Sequence, residues 1–160
     1  MRAPKASHAR GFTLVEILIV VVILGILAAI VVPAFASASD EARRSTFAQD
    51  LRVFSDAAEY FHSRTGAPVP DGSSGQMPAV WADYVDEAAF EAGTSIGGVW
   101  DTEYNDNGIT SAVGVHFNGT GDTRDDAWMS LVDSIMDDGD VTTGTFRRIA
   151  SDRYYRVLIE

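Results

Sequence analysis

The sequence predicts an α+β protein in which one long N-terminal helix, half transmembrane and half amphipathic, packs against a small C-terminal antiparallel β-sheet. Three patterns lead to this expectation. They are an unbroken apolar run near the start of the chain, a helical spacing of large apolar residues after it, and later stretches of alternating apolar and polar residues. Helical and strand patterns that occupy separate parts of a chain favour an α+β arrangement.

The apolar run covers residues 17–36 and directly follows a single carboxylate at Glu16. A helix rises about 1.5 Å per residue, so this run is long enough to cross the roughly 30 Å hydrocarbon core of a bilayer. Basic residues precede the run, which predicts a cytoplasmic leader and places the rest of the chain on the other side of the membrane. Because a charge at the membrane is costly, Glu16 is a candidate functional residue.

Two simple interpretations of the run leave Glu16 without a role. A secretory signal peptide accounts for the basic leader and for small residues at Ala34, Ala36 and Ala38, but its apolar region is usually only about 7 to 15 residues long. A plain single-pass anchor accounts for the length and the flanks. Both interpretations stay open.

The string GFTLVE at residues 11–16, after a basic leader and before the apolar run, resembles the processing signal of type IV pilins and type II secretion pseudopilins. The resemblance covers roughly residues 1–65. It implies that a prepilin peptidase cuts between Gly11 and Phe12 and then N-methylates Phe12. It also implies that Glu16 pairs with the amino terminus of a neighbouring subunit, a role that fits the strong attraction of opposite charges in a low dielectric.

The resemblance and the apolar patterns of the later chain together divide the sequence into four segments. They are a leader peptide at residues 1–11, a transmembrane and assembly helix at residues 12–36, its amphipathic continuation at residues 37–66, and an exported globular α+β domain at residues 67–160.

Two residues weaken the helix within the membrane segment. Pro33 lacks an amide donor and clashes with the preceding turn, so we expect a kink or a locally melted turn there. Gly25 is a second weak point. In a filament of the kind that the resemblance implies, both would let the helix stretch.

Beyond the membrane segment, large apolar residues recur at spacings of three and four, which is typical of an amphipathic helix. They are Phe47, Leu51, Phe54, Ala58 and Phe61. Gly66, followed by two prolines, ends this helix. After a small-residue loop, Pro78 is expected to open a short helix that carries Trp81 into the core.

From residue 98 the apolar pattern acquires a period of two and predicts two hairpins around one helix. The expected strands are residues 99–104 and 109–117, joined by the turn NDNG, and residues 146–150 and 154–159. Asp125 or Asp126 should cap the intervening helix, and Gly139 should end it. Alternate residues of the second strand, from Ile109 to Phe117, are expected to face the core.

Charge and composition exclude several functions. Nine basic residues share the chain after the leader with all 23 acidic residues, and such an acidic domain repels the phosphate backbone of nucleic acid. The sequence has no cysteine, which removes disulfides, thiol catalysis and thiolate metal sites. No hydrolase or metalloprotease motif surrounds the histidines, so we expect no enzyme activity.

Two acidic clusters are candidate calcium sites, because this ion prefers oxygen ligands. The first comprises Asp101, Glu103, Asn105 and Asp106 on the predicted hairpin, and the second comprises Asp137, Asp138 and Asp140 at a helix end. Neither follows a calcium-loop pattern, and turns of an acidic protein collect such residues in any case. The resemblance adds that major pseudopilins bind calcium in their C-terminal region. We rank the first cluster above the second.

The expected function is that of a structural subunit of a type II secretion pseudopilus or a type IV pilus-like filament. The resemblance implies as partners the prepilin peptidase, other pilin or pseudopilin subunits, and an inner-membrane assembly platform with its ATPase. It implies a single-pass bacterial inner-membrane precursor with a cytoplasmic N-terminus and a periplasmic domain, followed by a filament in the periplasm or at the cell surface. The missing cysteines and calcium loop favour a minor or lineage-specific pseudopilin. The alternative is a membrane-tethered or signal-peptide-exported binding domain that does not polymerise.

Overall fold

The computed structural model describes residues 11–106, 108–118 and 123–160. Nearly all of the expected leader peptide, and Asn107 in the predicted hairpin turn, lie outside the described residues. The chain divides into two compact units, one that ends at Asp40 and one that spans Glu41–Glu160.

The described residues confirm the α+β prediction, with a long helix packed on a four-stranded antiparallel sheet. In chain order the elements are α1 (Leu14–Thr65), a short 3₁₀ helix (Ala79–Trp81), α2 (Glu87–Glu91), β1 (Val99–Asp106), β2 (Ile109–His116), α3 (Asp126–Met136), β3 (Phe146–Ala150) and β4 (Arg153–Ile159). The sheet order is β1-β2-β4-β3. Each neighbouring pair is antiparallel, and both predicted hairpins form.

In the first unit, α1 is helical without interruption through Gly25 and Pro33. A locally melted turn therefore does not form at Pro33, whereas the kink stays a prediction. The Ser37 hydroxyl donates to the Pro33 carbonyl at 3.2 Å. A proline removes one donor from the ladder, and hydroxyl groups of the next turn commonly satisfy backbone groups near it.

In the second unit, all five residues of the predicted apolar stripe on α1 are buried, which confirms the amphipathic continuation. Phe47 stacks on Trp100 of β1 with ring centroids 5.1 Å apart, and Phe54 meets the same indole edge-on at 4.8 Å. Trp81 is fully buried, as expected of a core residue. The aromatic residues of α1, β1 and the connecting segment thus share one core.

The predicted helix boundaries hold at two positions. Gly66 has a φ of +74°, and its amide donates to the His62 carbonyl at 2.8 Å, which is a C-terminal glycine cap. Asp125 caps α3 by accepting from the Trp128 amide at 2.9 Å. Asp126 instead accepts a hydrogen bond from the Tyr154 hydroxyl at 2.6 Å. Of the two candidate caps, Asp125 is therefore the one that caps α3.

Two details differ from the sequence-based expectation. Helix α2 was not predicted, because its five residues are too few to show a helical period; it is capped by Asp86 and buries Phe90. Ile109 lies not in the main core but in a second cluster with Ala112, Tyr155 and Val157. The pairing of β2 with β4 shifts register between Ser111 and Ala112, so the strict alternation from Ile109 to Phe117 on which the prediction rests is interrupted.

Candidate functional sites

Thr13 and Glu16 form a reciprocal cap at the start of α1. The amide and the hydroxyl of Thr13 donate to Glu16 Oε2 at 2.7 and 2.8 Å, and the Glu16 amide donates back to the Thr13 hydroxyl at 3.3 Å. This is the capping-box arrangement, in which a Thr and a Glu three residues later satisfy each other's backbone amides. The Thr-x-x-Glu spacing was a readable signal that the sequence analysis missed.

The backbone around the predicted cleavage point is accessible. Gly11, Phe12 and Thr13 precede the helix and are exposed, with Phe12 at 82% of its full accessibility. Downstream of them, α1 carries the one stretch of the described residues that is long and apolar enough to cross a membrane. Its apolar side chains are exposed in the isolated chain, so lipid or other protein must cover them.

The first acidic cluster is only partly assembled. Asp101 and Glu103 lie close together on β1, each 3% exposed, whereas Asn105 and Asp106 lie at the exposed end of the strand. Glu103 Oε2 is 3.0 Å from the Arg153 guanidinium. Burial raises the pKa of Glu103 to about 7, against the opposing effect of Arg153. Arg153 thus already supplies a positive charge within this cluster.

Asp101 anchors a second set of contacts on the same strand. Its Oδ2 accepts from the Tyr155 hydroxyl at 2.7 Å and from the Ser74 hydroxyl at 3.0 Å. Ser74 Oγ is also 2.7 Å from His116 Nδ1, and His116 Nε2 is 3.3 Å from Asp152. Because the Ser74 hydroxyl is committed to Asp101, we interpret this chain of contacts as an anchor for the loop before β1.

The second acidic cluster lies where α3 ends, and its membership differs from the predicted set. Side-chain oxygens of Asp133, Asp137 and Asp138 all lie within 4.8 Å of one another. Asp140 instead accepts from the amide and hydroxyl of Thr142. The sequence analysis missed Asp133, although it lies four residues after the buried Met129 and so falls on the inner face of α3.

Burial, a hydrogen bond with the Asp138 carboxyl group and the negative charges of Asp138 and Asp137 raise the pKa of Asp133 to about 6. Asp137 lies close to Asp133, but its pKa shifts in the opposite direction. Its carboxylate accepts from the Thr145 amide and hydroxyl, and these hydrogen bonds lower its pKa. The cluster therefore joins one buried carboxyl group to carboxylates at the surface.

The family model described as the prokaryotic N-terminal methylation motif matches residues 6–32. The chain carries a prepilin-type N-terminal segment. This confirms the resemblance on which the prediction rests. The matched region contains the exposed Gly11 and Phe12, Glu16 of the N-terminal cap, and the first part of the apolar helix.

The curated proteins to which part of this chain is similar carry two kinds of name. It is 47% identical over 51 residues to type II secretion system core protein G of Pseudomonas aeruginosa, which covers 32% of this chain and 36% of that protein. It is 42% identical over 57 residues to the protein of the same name from Klebsiella michiganensis, covering 36% and 40% of the two chains. It is 53% identical over 38 residues to type IV narrow pilus major component PilA5 of Thermus thermophilus, covering 24% and 33%.

The chain thus spans about a third of the length of the curated relatives it matches. No solved structure matches it. The apolar N-terminal helix and the similarity to these proteins fit a membrane-anchored chain.

Proposed function

We propose that this chain is a filament subunit that a prepilin peptidase cleaves between Gly11 and Phe12 and N-methylates at Phe12. The observation that carries the proposal is the exposed, non-helical segment of residues 11–13, placed directly before a capped apolar helix. A peptidase needs accessible backbone on both sides of the bond that it cuts. Helix α1 begins at Leu14, so the bond lies outside the helical hydrogen-bond ladder.

Glu16 is proposed to bind the new ammonium group of a neighbouring subunit. Its contacts with Thr13 both use Oε2, which leaves Oε1 for a second partner. An uncompensated carboxylate is strongly disfavoured within apolar surroundings, whereas a carboxylate paired with an ammonium is not. The pair would therefore set the register at which a subunit enters the filament.

The apolar part of α1 is proposed to move from lipid into the filament interior. Extraction of about 20 apolar residues is feasible only if neighbouring helices cover an equal apolar surface. Residues 12–36 would form this assembly segment, and residues 37–66 would continue it into the domain of residues 67–160. An inner-membrane platform with its ATPase would supply the mechanical work.

The proposed location is the bacterial inner membrane, with a cytoplasmic N-terminus and a periplasmic domain, before assembly into a pseudopilus or a pilus-like filament. The net negative charge of the chain argues against nucleic-acid binding. A minor or lineage-specific pseudopilin fits the absence of cysteine better than an adhesive pilin closed by a disulfide.

The mature amino terminus tests the processing step. Mass spectrometry of the chain from cells with the prepilin peptidase should show a start at Phe12, one methyl group heavier than the unmodified residue. Cells without the peptidase should retain the leader. A start at Ser37 or Ser39, or an uncut chain in both strains, contradicts the proposal and favours an exported or membrane-tethered binding domain.

Substitution of Glu16 tests assembly separately. The Glu16→Ala chain should insert into the membrane normally and fail to enter filaments, as measured by fractionation and by cross-linking between subunits. Thr13→Ser is the matched control, since serine keeps the capping hydroxyl. Normal incorporation of Glu16→Ala would refute the pairing role.

A further inference from the structure

Helix α3 carries apolar side chains on two sides. Its inner side buries Met129 and Val132 in the core. On its outer side Leu131 and Ile135 lie one turn apart and are 49% and 39% exposed, and the half-buried Trp128 precedes them by one turn. These three residues form the α3 stripe. A helix that is apolar on both sides is normally covered on both, so the stripe indicates an interaction surface.

Two arginines of α1 flank the α3 stripe. The guanidinium carbon of Arg44 lies 5.4 Å from the centroid of the Trp128 ring, and the Arg52 guanidinium donates to the Ile135 carbonyl at 2.5 Å. Because both contacts advance by about two turns along each helix, α3 runs beside α1 in the same direction. The stripe therefore has a basic border along its whole length.

The charges of Arg44 and Arg52 are not matched by carboxylates of the described residues. Both arginines contact uncharged groups, and no ion pair joins either one to an acidic residue within the described ranges. The arginines of β3 and β4 differ, since each lies within 4.0 Å of a carboxylate: Arg147, Arg148, Arg153 and Arg156. An unmatched basic surface attracts acidic surfaces, and after its leader this chain has nine basic residues against 23 acidic ones.

The other side of α1 has the complementary character. At about 100° per residue, Val53 and Tyr60 lie on one side of the buried stripe of α1, and Arg44 and Arg52 lie on the other. Val53 and Tyr60 are 63% and 56% exposed, and the Tyr60 ring is 5.8 Å from that of Tyr84. The adjoining segment of residues 82–92 has no basic residue and exposes four carboxylates: Asp83, Asp86, Glu87 and Glu91. Val53, Tyr60 and these four residues form the acidic flank.

We propose that the α3 stripe of one subunit docks on the acidic flank of a second copy of this chain. The apolar parts match in length, because Trp128 to Ile135 and Val53 to Tyr60 each span about 10 Å of helix. The basic border of the stripe meets the carboxylates of the flank. This inference rests on the proposed function, since a contact between two different surfaces leaves one of each free on every pair and so extends into an open filament.

Cysteine cross-linking tests the contact directly, because the natural chain has no cysteine that would compete. Leu131→Cys and Tyr60→Cys full-length chains are co-produced in cells with the prepilin peptidase, and the membrane and filament fractions are oxidised. A disulfide needs the two Cα atoms to come within about 7 Å, so an adduct of the two chains should form only if the surfaces meet. Leu131→Cys with Ser151→Cys, in the exposed turn between β3 and β4, is the matched control and should give no adduct.

Two further variants test the role of charge. In the Leu131→Cys chain, Arg52→Gln keeps an amide donor near the Ile135 carbonyl but removes the charge, and it should lower the yield of the mixed adduct about threefold. Arg52→Lys keeps the charge and should leave the yield near that of the parent chain. Added salt should lower the yield in the parent chain and have little effect in Arg52→Gln. An unchanged near-ultraviolet circular dichroism spectrum confirms that each variant is folded.

The start of the mature chain separates this inference from the proposed function. Absence of the mixed adduct from filaments whose chains start at Phe12 overturns the docking and leaves the proposed function intact. A mixed adduct of uncleaved chains supports the docking and contradicts the processing step, whereas absence of both adduct and processing contradicts both proposals. An adduct of two Leu131→Cys chains, or of Leu131→Cys with a different protein identified by mass, shows another occupant of the stripe and overturns the docking.

Discussion

The rings of Phe47 and Trp100 stack with an interplanar angle of 3° and centroids 5.1 Å apart, which joins α1 to the first strand of the sheet. Both side chains are almost completely buried. Aromatic pairs in offset or stacked contact add about 0.5–1.5 kcal/mol to the free energy gained by burial alone. This contact therefore contributes directly to holding the sheet against the helix.

Phe47→Ala should lower the free energy of unfolding by about 3–5 kcal/mol, since it removes a large buried ring and leaves a cavity. Denaturant unfolding in detergent, followed by near-ultraviolet circular dichroism, measures this change. Val53→Ala, on the exposed face of the same helix at 63% accessibility, should change it by less than about 0.5 kcal/mol. Equal effects of the two variants would show that the stacked pair does not hold the sheet.

Stability should fall as the pH rises from about 4.5 to about 7, because the folded state holds a proton on Glu103 more tightly than the unfolded state does. The pKa of Glu103 is raised from 4.5 to about 7, so the folded chain binds more protons across this interval. The linkage relation then gives a loss on the order of 2 kcal/mol across the interval.

Unfolding of Glu103→Gln at several pH values isolates this contribution. The variant should show a flatter pH profile than the wild type in the same interval. Asp133, whose pKa is raised to about 6, titrates there too, so the remaining slope should disappear only in the double variant with Asp133→Asn. Parallel profiles for the wild type and Glu103→Gln would contradict the assignment.

Gly114→Ala should prevent the sheet from forming. A Cβ at this position would lie 2.5 Å from Tyr155 Cα, and this backbone atom of β4 cannot move without breaking the pairing of β2 with β4. We expect a loss of about 3 kcal/mol or more. Gly25→Ala, where an added Cβ meets nothing within 4 Å, should leave the near-ultraviolet spectrum of the domain unchanged.

Thr13→Val should loosen the first turn of α1, because it removes the capping hydroxyl. Loss of such a cap costs about 0.5–2 kcal/mol. Hydrogen exchange of the Glu16 and Ile17 amides, measured in detergent, should become faster in Thr13→Val and stay near the wild-type rate in Thr13→Ser. Unchanged exchange in Thr13→Val would mean that the hydroxyl does not hold the turn.

Local signals predicted most of the elements and their boundaries. The spacing from Phe47 to Phe61 identified the buried face of α1, and the turn before Ile109 identified the first hairpin. Helix α2 escaped prediction because five residues do not complete two helical turns. The partner of Glu103 escaped it because Arg153 is 50 residues away along the chain, and strand pairing brings the two together.

The sequence by itself determined the membrane-length helix, the prepilin-type segment and the order of the hairpins, because each rests on local spacing and hydrophobicity. Only the tertiary structure decided which carboxylates have partners. Asp101 and Glu103, which ranked first as calcium ligands, lie near the cationic side chain of Arg153, whereas Asp133 on the inner face of α3 is buried beside the carboxylates of Asp137 and Asp138. The charge that a carboxylate faces depends on residues distant in the chain, and no local pattern encodes that distance.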